Sequence, residues 1–289
     1  MKKVVVIGSI NMDLVVNVDA MPRMGESLVV EGFELIPGGK GANQAVALGK
    51  LGADVSFLGA VGADDYAKML LASMSDSGVD TSRILAAEDA ATGMALITVS
   101  NITGDNSIIV IQGANLKVSK AYVDANMDAI EQADIVIMQM EIPIDTVIHA
   151  ARRAKALGKT VILDPAPAPK AFPWEILPYV DYIKPNQVEL EQITGMPAGE
   201  DTIKASSDKL KEAGAGCVLV TLGEDGVFVN EIGGTTKTVP AVSVKAVDTT
   251  AAGDCFTAAF AFGLISGMPI IDAVSFATRA AGISVSRKG

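Results

Sequence analysis

Asp134-Ile-Val-Ile-Met-Gln-Met140, then Pro143 to Leu157, then Thr160-Val-Ile-Leu-Asp164 is the stretch that decides the fold. Its two short apolar runs carry no alternation of polar side chains, as expected for strands buried on both faces. The segment between them, 143–157, reads as a helix. Strand, helix and strand in this order make a parallel pair with a covering crossover.

The same alternation extends in both directions. Upstream lie a strand at 2–8, helices at 41–51, 64–76 and 119–132, and a strand at 54–59. The 64–76 helix opens at the acidic pair Asp64-Asp65. Downstream come strands at 180–184 and 217–222 and helices at 187–194 and 202–213. A β excursion over 226–247 is followed by helices at 253–266 and 269–286. The predicted class is α/β, a Rossmann-like, mostly parallel central sheet with helices on both faces. Two regions interrupt it. Runs at 14–19 and 27–36 are split by Pro22-Arg-Met-Gly25, and runs at 92–100 and 107–112 by Thr103-Gly104-Asp105. These predict a second small sheet, a β lid inserted over 14–36 and 92–112 into a single domain spanning 1–289.

Composition narrows the class of function. A chain of 289 residues is ample for a sizeable core. A net charge of −11 argues against nucleic-acid or anionic-membrane surfaces, which need clustered Lys and Arg. Only Cys217 and Cys255 are present, each in an apolar stretch, so they read as buried core thiols and a cytoplasmic setting is expected. The Lys2-Lys3 start imitates a secretion signal, but its apolar run ends at Gly8. No stretch is long enough for a membrane span. His149, the single histidine, reads as a solvated helix position, and Met138 and Met140 read as packing.

Polar constellations fall just after predicted strands, where open parallel sheets collect ligands. Asn11 and Asp13 follow the first strand, Glu141 follows 134–140, Asn186 follows 180–184 and Thr221 closes 217–222. Gly38-Gly-Lys-Gly-Ala-Asn43 opens a helix but lacks the Ser or Thr and the spacing of a Walker A loop. Its glycines allow close backbone approach, and Asn43 offers an amide donor and acceptor. The plainer alternative is a tight turn with Lys40 in solvent. Short acids and amides in one place suit a polyhydroxylated ligand. Asn186-Gln-Val-Glu189 has the spacing of a capping box, and Thr221 to Gly226 that of a hairpin turn.

Val247-Asp-Thr-Thr-Ala-Ala-Gly-Asp-Cys-Phe-Thr257 is a small-residue turn running into an apolar helix, with Asp254 at the junction. Helix starts of this kind present unpaired N–H groups and a positive dipole end to an anion. Two readings of Asp254 stand side by side: a base for an attacking hydroxyl beside a phosphoryl group, or a first-turn acid that satisfies the helix end.

DTTAAGD at 248–254 resembles the C-terminal signature of the ribokinase-type carbohydrate kinases, and the resemblance extends over nearly the whole chain. It implies the ribokinase-like fold and ATP-dependent phosphorylation of a sugar, D-ribose at its primary hydroxyl O5 before others. A related kinase for fructose, deoxyribose or a nucleoside is the first alternative, and a non-catalytic sugar or nucleotide sensor the second. Asp254 would be the base and touch the sugar, with the Ala252 and Gly253 amides as anion hole. Asn11, Asp13, Gly39, Lys40, Asn43 and Glu141 would form the sugar site. Asn186, Thr221, Gly223, Gly226, Gly253 and Thr278 would hold ATP, with Ala277 beside the adenine. The resemblance also implies Mg2+ at Glu189 through water, with Asn186. A monovalent cation, K+, would lie among Asp248, Thr250, Ser284, Arg287 and Gly289, largely on backbone carbonyls. A homodimer through paired lids is expected. Members of the family continue about one helix further, so a cation ligand is expected to be missing after Gly289, where the chain end is read as an artificial boundary.

Overall fold

The computed structural model describes residues 2–103, 105–231 and 233–287; Gly104 of the predicted lid turn and Gly289 of the predicted cation site lie outside them. In chain order the elements begin with β1 (Lys3–Ile7), β2 (Asn11–Val18), β3 (Glu34–Gly38), α1 (Lys40–Lys50), β4 (Asp54–Leu58), β5 (Ala60–Gly62) and α2 (Asp65–Asp76). There follow β6 (Val79–Asp80), β7 (Leu85–Ala87), β8 (Gly93–Ser100), β9 (Asn106–Ile111), α3 (Lys120–Ala125), α4 (Met127–Gln132), β10 (Ile135–Met138) and α5 (Ile144–Ala156). The last third holds β11 (Thr160–Leu163), β12 (Tyr182–Ile183), α6 (Gln187–Thr194), α7 (Ile203–Glu212), β13 (Cys217–Thr221), β14 (Val227–Asn230), β15 (Thr236–Val239), α8 (Ala252–Ile265) and α9 (Ile270–Val285).

Nine strands form the main sheet in the order β15-β14-β13-β12-β11-β10-β1-β4-β6. Its pairs are parallel except for the last two, β13 with β14 and β14 with β15. The apolar runs explain how both faces are covered. Val5 and Ile7 of β1, with Val136 and Met138 of β10, point into one core, and Val4, Val6, Ile135 and Ile137 point into the other. Such strands have no polar face to give to water, so each must be roofed twice. Residues of α4, α5, α6 and α7 enter the first core and residues of α1, α2, α8 and α9 the second.

The small sheet has the order β3-β2-β8-β9. Its outer pairs are antiparallel and its central pair, β2 with β8, is parallel. Here the sequence reading needs correction. Residues 14–19 and 27–36 do not form a tight hairpin, because β2 starts at Asn11 and β3 covers only Glu34–Gly38. The pairing of Asn11 with Gly38 and Val15 with Glu34 leaves 19–33 as a long connection, although a turn does close between Arg23 and Glu26. The apolar side chains Met24 and Val29 in that connection are fully exposed, so the local pattern had no core to satisfy.

The predicted 119–132 helix is two short ones. Asn126 donates its side-chain amide to the Tyr122 carbonyl at 2.9 Å, and such a local bond competes with the helical ladder. His149 is not simply solvated: its Nε2 lies 2.9 Å from Asp124 Oδ1 and its side chain is largely covered. Cys217 is buried but Cys255 only half-buried. Met138 and Met140 are buried in the core as expected. Among the described residues no helix is long and apolar enough to cross a membrane.

Candidate active site

Strand order reverses between β1 and β10: from β1 the chain passes to β4 on one side, then returns to β10 on the other. The crevice beyond the carboxyl ends of strands at such a switch point is the usual ligand position in open α/β sheets. Ser9 follows β1, and Glu141 follows β10. Across the crevice the Ser9 hydroxyl donates to Glu141 Oε2 at 2.5 Å, and the Lys40 backbone N–H donates to the same oxygen at 3.1 Å. Glu141 therefore serves as the anion at the start of α1, whose N-terminus has no side-chain cap of its own.

The Gly-rich turn fits this geometry because bulk is excluded. Gly39 adopts φ +89, and a Cβ there would lie 2.7 Å from the Asn11 nitrogen. A Cβ on Gly38 would lie 2.3 Å from an Asp13 oxygen. The turn thus presses directly onto the start of β2, bringing Asn11, Asp13, Gly39, Lys40 and Glu141 together. Asn11 and Asp13 lie within β2 rather than in a loop after β1. The buried Asn11 side-chain oxygen, Oδ1, accepts from Asn115 Nδ2 at 2.8 Å. Asp13 is half-buried, and desolvation followed by the neighbouring charges of Glu141 and Asp254 pushes its pKa up to about 7, with Lys40 opposing.

Lys40 is not the solvated turn residue of the plainer reading. Burial disfavours its charge, but Asp254, Asp164, Glu141 and Glu189 surround it and lift its pKa to about 12. The ammonium is therefore charged in an acidic crevice, a fixed cation beside the oxygen-rich set.

Asp254 lies in the first turn of α8, on the far side of the same crevice. It is 6 % exposed. Asn43 Nδ2 donates to its Oδ2 at 3.1 Å and Gln44 Nε2 to its Oδ1 at 2.9 Å. Burial raises its pKa to about 6, with Lys40 lowering it, Asp164 raising it, and Gln44 and Lys184 lowering it. The turn before it holds Ala251 at φ +56, an unusual conformation for a residue with a side chain. The Ala252 N–H makes only a long bond, 3.3 Å, to the Thr249 carbonyl. Gly253 belongs to the first turn of α8, where donors have no intrahelical acceptor.

Four polar residues of this crevice were missed in the sequence: Gln44, Gln139, Asp164 and Lys184. All are buried. Lys184 Nζ lies 3.0 Å from Asp164 Oδ2, and a Cβ on Gly253 would be 3.1 Å from that same nitrogen. A buried cation thus sits directly over the small-residue turn. Gln139, Asp164 and Lys184 directly follow the apolar strands β10, β11 and β12, so a polar residue at a strand's carboxyl end was the available signal for them; Gln44, inside α1, carried none.

The remaining predicted residues divide into two groups. Asn186 and Glu189 form a capping box on α6, with bonds of 2.8 Å in both directions. Thr221 pairs with Asn186 across an isolated parallel bridge, so the two stand side by side. Gly223 at φ +62 and Gly226 at φ +99 make the hairpin turn into β14, and a Cβ on Gly226 would meet the Val239 carbonyl at 2.1 Å. Thr278 and Ala277 are both buried on α9, and Thr278 Oγ donates to the Ser275 carbonyl at 2.9 Å.

At the predicted cation site, the Val247 and Asp248 N–H groups both donate to the Val285 carbonyl, at 2.7 and 3.2 Å, which ties the loop to the end of α9. Asp248 Oδ1 accepts from the Thr250 N–H at 2.9 Å. The Cys255 thiol of α8 bonds the Ser284 side chain. Thr250 and Arg287 are exposed.

The chain matches the pfkB family carbohydrate kinases over residues 1–289. It is 38 % identical over 290 residues to the ribokinase of Haemophilus influenzae, covering 100 % of this chain and 94 % of that one. It is 35 % identical over 287 residues to the deoxyribokinase of Salmonella typhi, covering 99 % and 93 %. The structure of Arabidopsis thaliana ribokinase complexed with ribose and ATP superposes with a TM-score of 0.92 at 34 % identity, covering 100 % of this chain and 94 % of that one.

Proposed function

The chain belongs to the pfkB family of carbohydrate kinases, and from its crevice we propose that it transfers the γ-phosphoryl group of ATP to O5 of D-ribose, with Asp254 as general base. One observation carries this reading. A buried carboxylate at the mouth of a helix is bonded, through Asn43, to the same turn that presents Gly39 and Lys40 to Asp13 and Glu141. Proton removal and hydroxyl recognition therefore share one wall.

The chemistry follows from the environment. A carboxylate with a pKa near 6 is still mostly ionised at neutral pH, yet is a better proton acceptor than a solvated one. It takes the O5 proton as the oxygen attacks phosphorus. The Gly253 and Ala252 N–H groups and the α8 dipole face the phosphoryl oxygens, where negative charge is spread in the transition state. Lys40 and Lys184 add fixed positive charge in a largely dry site. Asn11, Asp13, Gly39, Lys40, Asn43 and Glu141 supply donors and acceptors for the sugar hydroxyls. The small sheet of β2, β3, β8 and β9 would cover the sugar and keep water from taking the phosphoryl group.

ATP would lie along Asn186, Thr221, Gly223 and Gly226 toward Thr278. For Mg2+ the donor set fits. Burial and then the nearby Asp164 charge raise the Glu189 pKa, with the Asn186 N–H, Lys184 and Lys40 opposing, and a hard cation beside it would favour the ionised carboxylate. Glu189, through water, and Asn186 would hold it; when bound, it offsets charge on the ATP phosphates. The loop at Asp248 and Thr250, tied to Ser284 and Val285, would enclose K+ on backbone carbonyls. A cytoplasmic setting accords with two unpaired thiols. A homodimer is supported by β9, an edge strand exposed along its full length that carries Ile108, Ile109, Val110 and Ile111. In light scattering, Ile109→Lys should convert a dimer to monomer; a wild-type monomer would overturn the pairing.

The identity to a deoxyribokinase makes 2-deoxy-D-ribose the competing acceptor. A coupled ADP-release assay over sugars and nucleosides, with and without K+, tests the reading. Release that depends on ribose supports it; binding without release would mark a sensor, and release with another acceptor only would reassign the substrate.

A further inference from the structure

The Asp254 carboxylate is held by a buried amide stack that the phosphoryl chemistry outlined above does not use. Gln44 is fully buried on α1. Its Nε2 donates at 2.9 Å to Asp254 Oδ1 and at 2.9 Å to Asp164 Oδ2. Its own Oε1 accepts from Gln139 Nε2 at 2.6 Å. This orientation is chemically forced, because two carboxylates accept only from the NH2 end of the amide. Gln139 fits only because Gly8 has no side chain, since a Cβ there would lie 2.0 Å from Gln139 Oε1. Glycine, glutamine and glutamine, from just after β1, just after β10 and from α1, thus form a support that ends on two acids.

We propose that Gln44 is a positioning residue for phosphoryl transfer: its single NH2 group aims the Asp254 carboxylate and keeps it apart from Asp164. A neutral donor suits this place. A lysine there would neutralise the base, and an apolar residue would leave two carboxylates facing each other in a dry crevice. Lys184 cannot replace it, since its ammonium is committed to Asp164. The other groups that face Asp254 are Lys40 and Asn43 of α1, Asp13 of β2, Lys184 after β12 and Cys255 on its own helix. Gln44 differs from all of them in touching both acids at once.

The proposal rests on Asp254 being the base, and two readouts separate the two ideas. The first is the titration midpoint of Asp254, followed by 13C NMR on aspartate-labelled protein and assigned by comparison with Asp254→Asn. The second is the acid limb of kcat/KM for ribose. In Gln44→Met both should move to higher pH by about one unit, while ATP affinity changes little and the melting temperature falls, because Gln139 Nε2 loses its acceptor and the two acids lose their shared donor. If the Met variant does not fold, Gln44→Glu keeps the shape and should move both readouts in the same direction. Movement of the NMR midpoint without the kinetic limb would remove Asp254 from catalysis and leave Gln44 as its holder. An unmoved NMR midpoint in a folded variant overturns the proposal, as does a kcat that falls by one factor at every pH.

Discussion

Replacing Asp254 by Asn separates catalysis from folding, because the two effects have opposite signs. The carboxylate is buried and its pKa is raised from the ordinary 3.8 to about 6, chiefly by desolvation. A raised carboxylate pKa means the folded state holds its proton more tightly, so Asp254 costs stability as pH rises from 3.8 through 6. That gap corresponds to roughly 3 kcal/mol at neutral pH. The Asn side chain removes this charge but accepts only one of the two amide bonds from Asn43 and Gln44, and an unsatisfied buried donor costs about 1–3 kcal/mol. The two terms nearly cancel, so at pH 7.5 the variant should melt within a few degrees of the wild type. Below pH 4 it should melt lower, because the protonated Asp254 no longer costs anything while the orphaned amide still does. Turnover behaves otherwise. Loss of a general base lowers kcat by about two to four orders of magnitude, or roughly 3 to 5 kcal/mol of barrier. Coupled ADP release and differential scanning calorimetry on the same sample make the comparison. Near-normal kcat in the folded variant would refute the reasoning, and so would a large loss of stability at pH 7.5.

Asn43→Ala should weaken ribose binding by about 1–3 kcal/mol in calorimetry, since hydroxyls lose a partner while the buried Asp254 keeps its bond from Gln44; unchanged affinity would remove Asn43 from the sugar site. Asp13 titrates near 7, so ribose affinity should fall as pH drops through that value and Asp13→Asn should flatten the dependence. Gly39→Ala should destabilise the protein by more than about 1 kcal/mol, because φ +89 and a Cβ 2.7 Å from the Asn11 nitrogen leave no relaxed position. A thermal melt equal to wild type would contradict the packing of that turn on β2.

The parallel sheet was legible because its strands are apolar on both faces and alternate with helical segments of the right length. Val4 to Ile7 and Ile135 to Met138 leave no other reading. The 27–33 segment was misread because an apolar pattern reports the wish for burial and not the presence of a neighbour. Asn126 broke a helix through one side-chain bond to Tyr122, which no periodicity reveals. At the site, glycines and short acids after strands drew attention to Gly39 and Asp13, and the small-residue turn running into an apolar helix drew it to Asp254. Gln44 and Asp164 escaped because they are separated by 120 residues and become a unit only when the fold brings the Gln44 amide within hydrogen-bond reach of the Asp164 carboxylate. Lys40 was open to a solvated reading in the sequence, and four acids from separate segments decide it.

The central claim is that Asp254 and the α8 N-terminus face one sugar hydroxyl together. A crystal structure of the chain with D-ribose and a non-hydrolysable ATP analogue tests it most directly. The account predicts O5 within about 3 Å of an Asp254 oxygen, with the γ-phosphate oxygens against the Gly253 N–H. A ribose bound elsewhere, or O5 beyond hydrogen-bond reach with Asp254 still turned to Gln44, would contradict it.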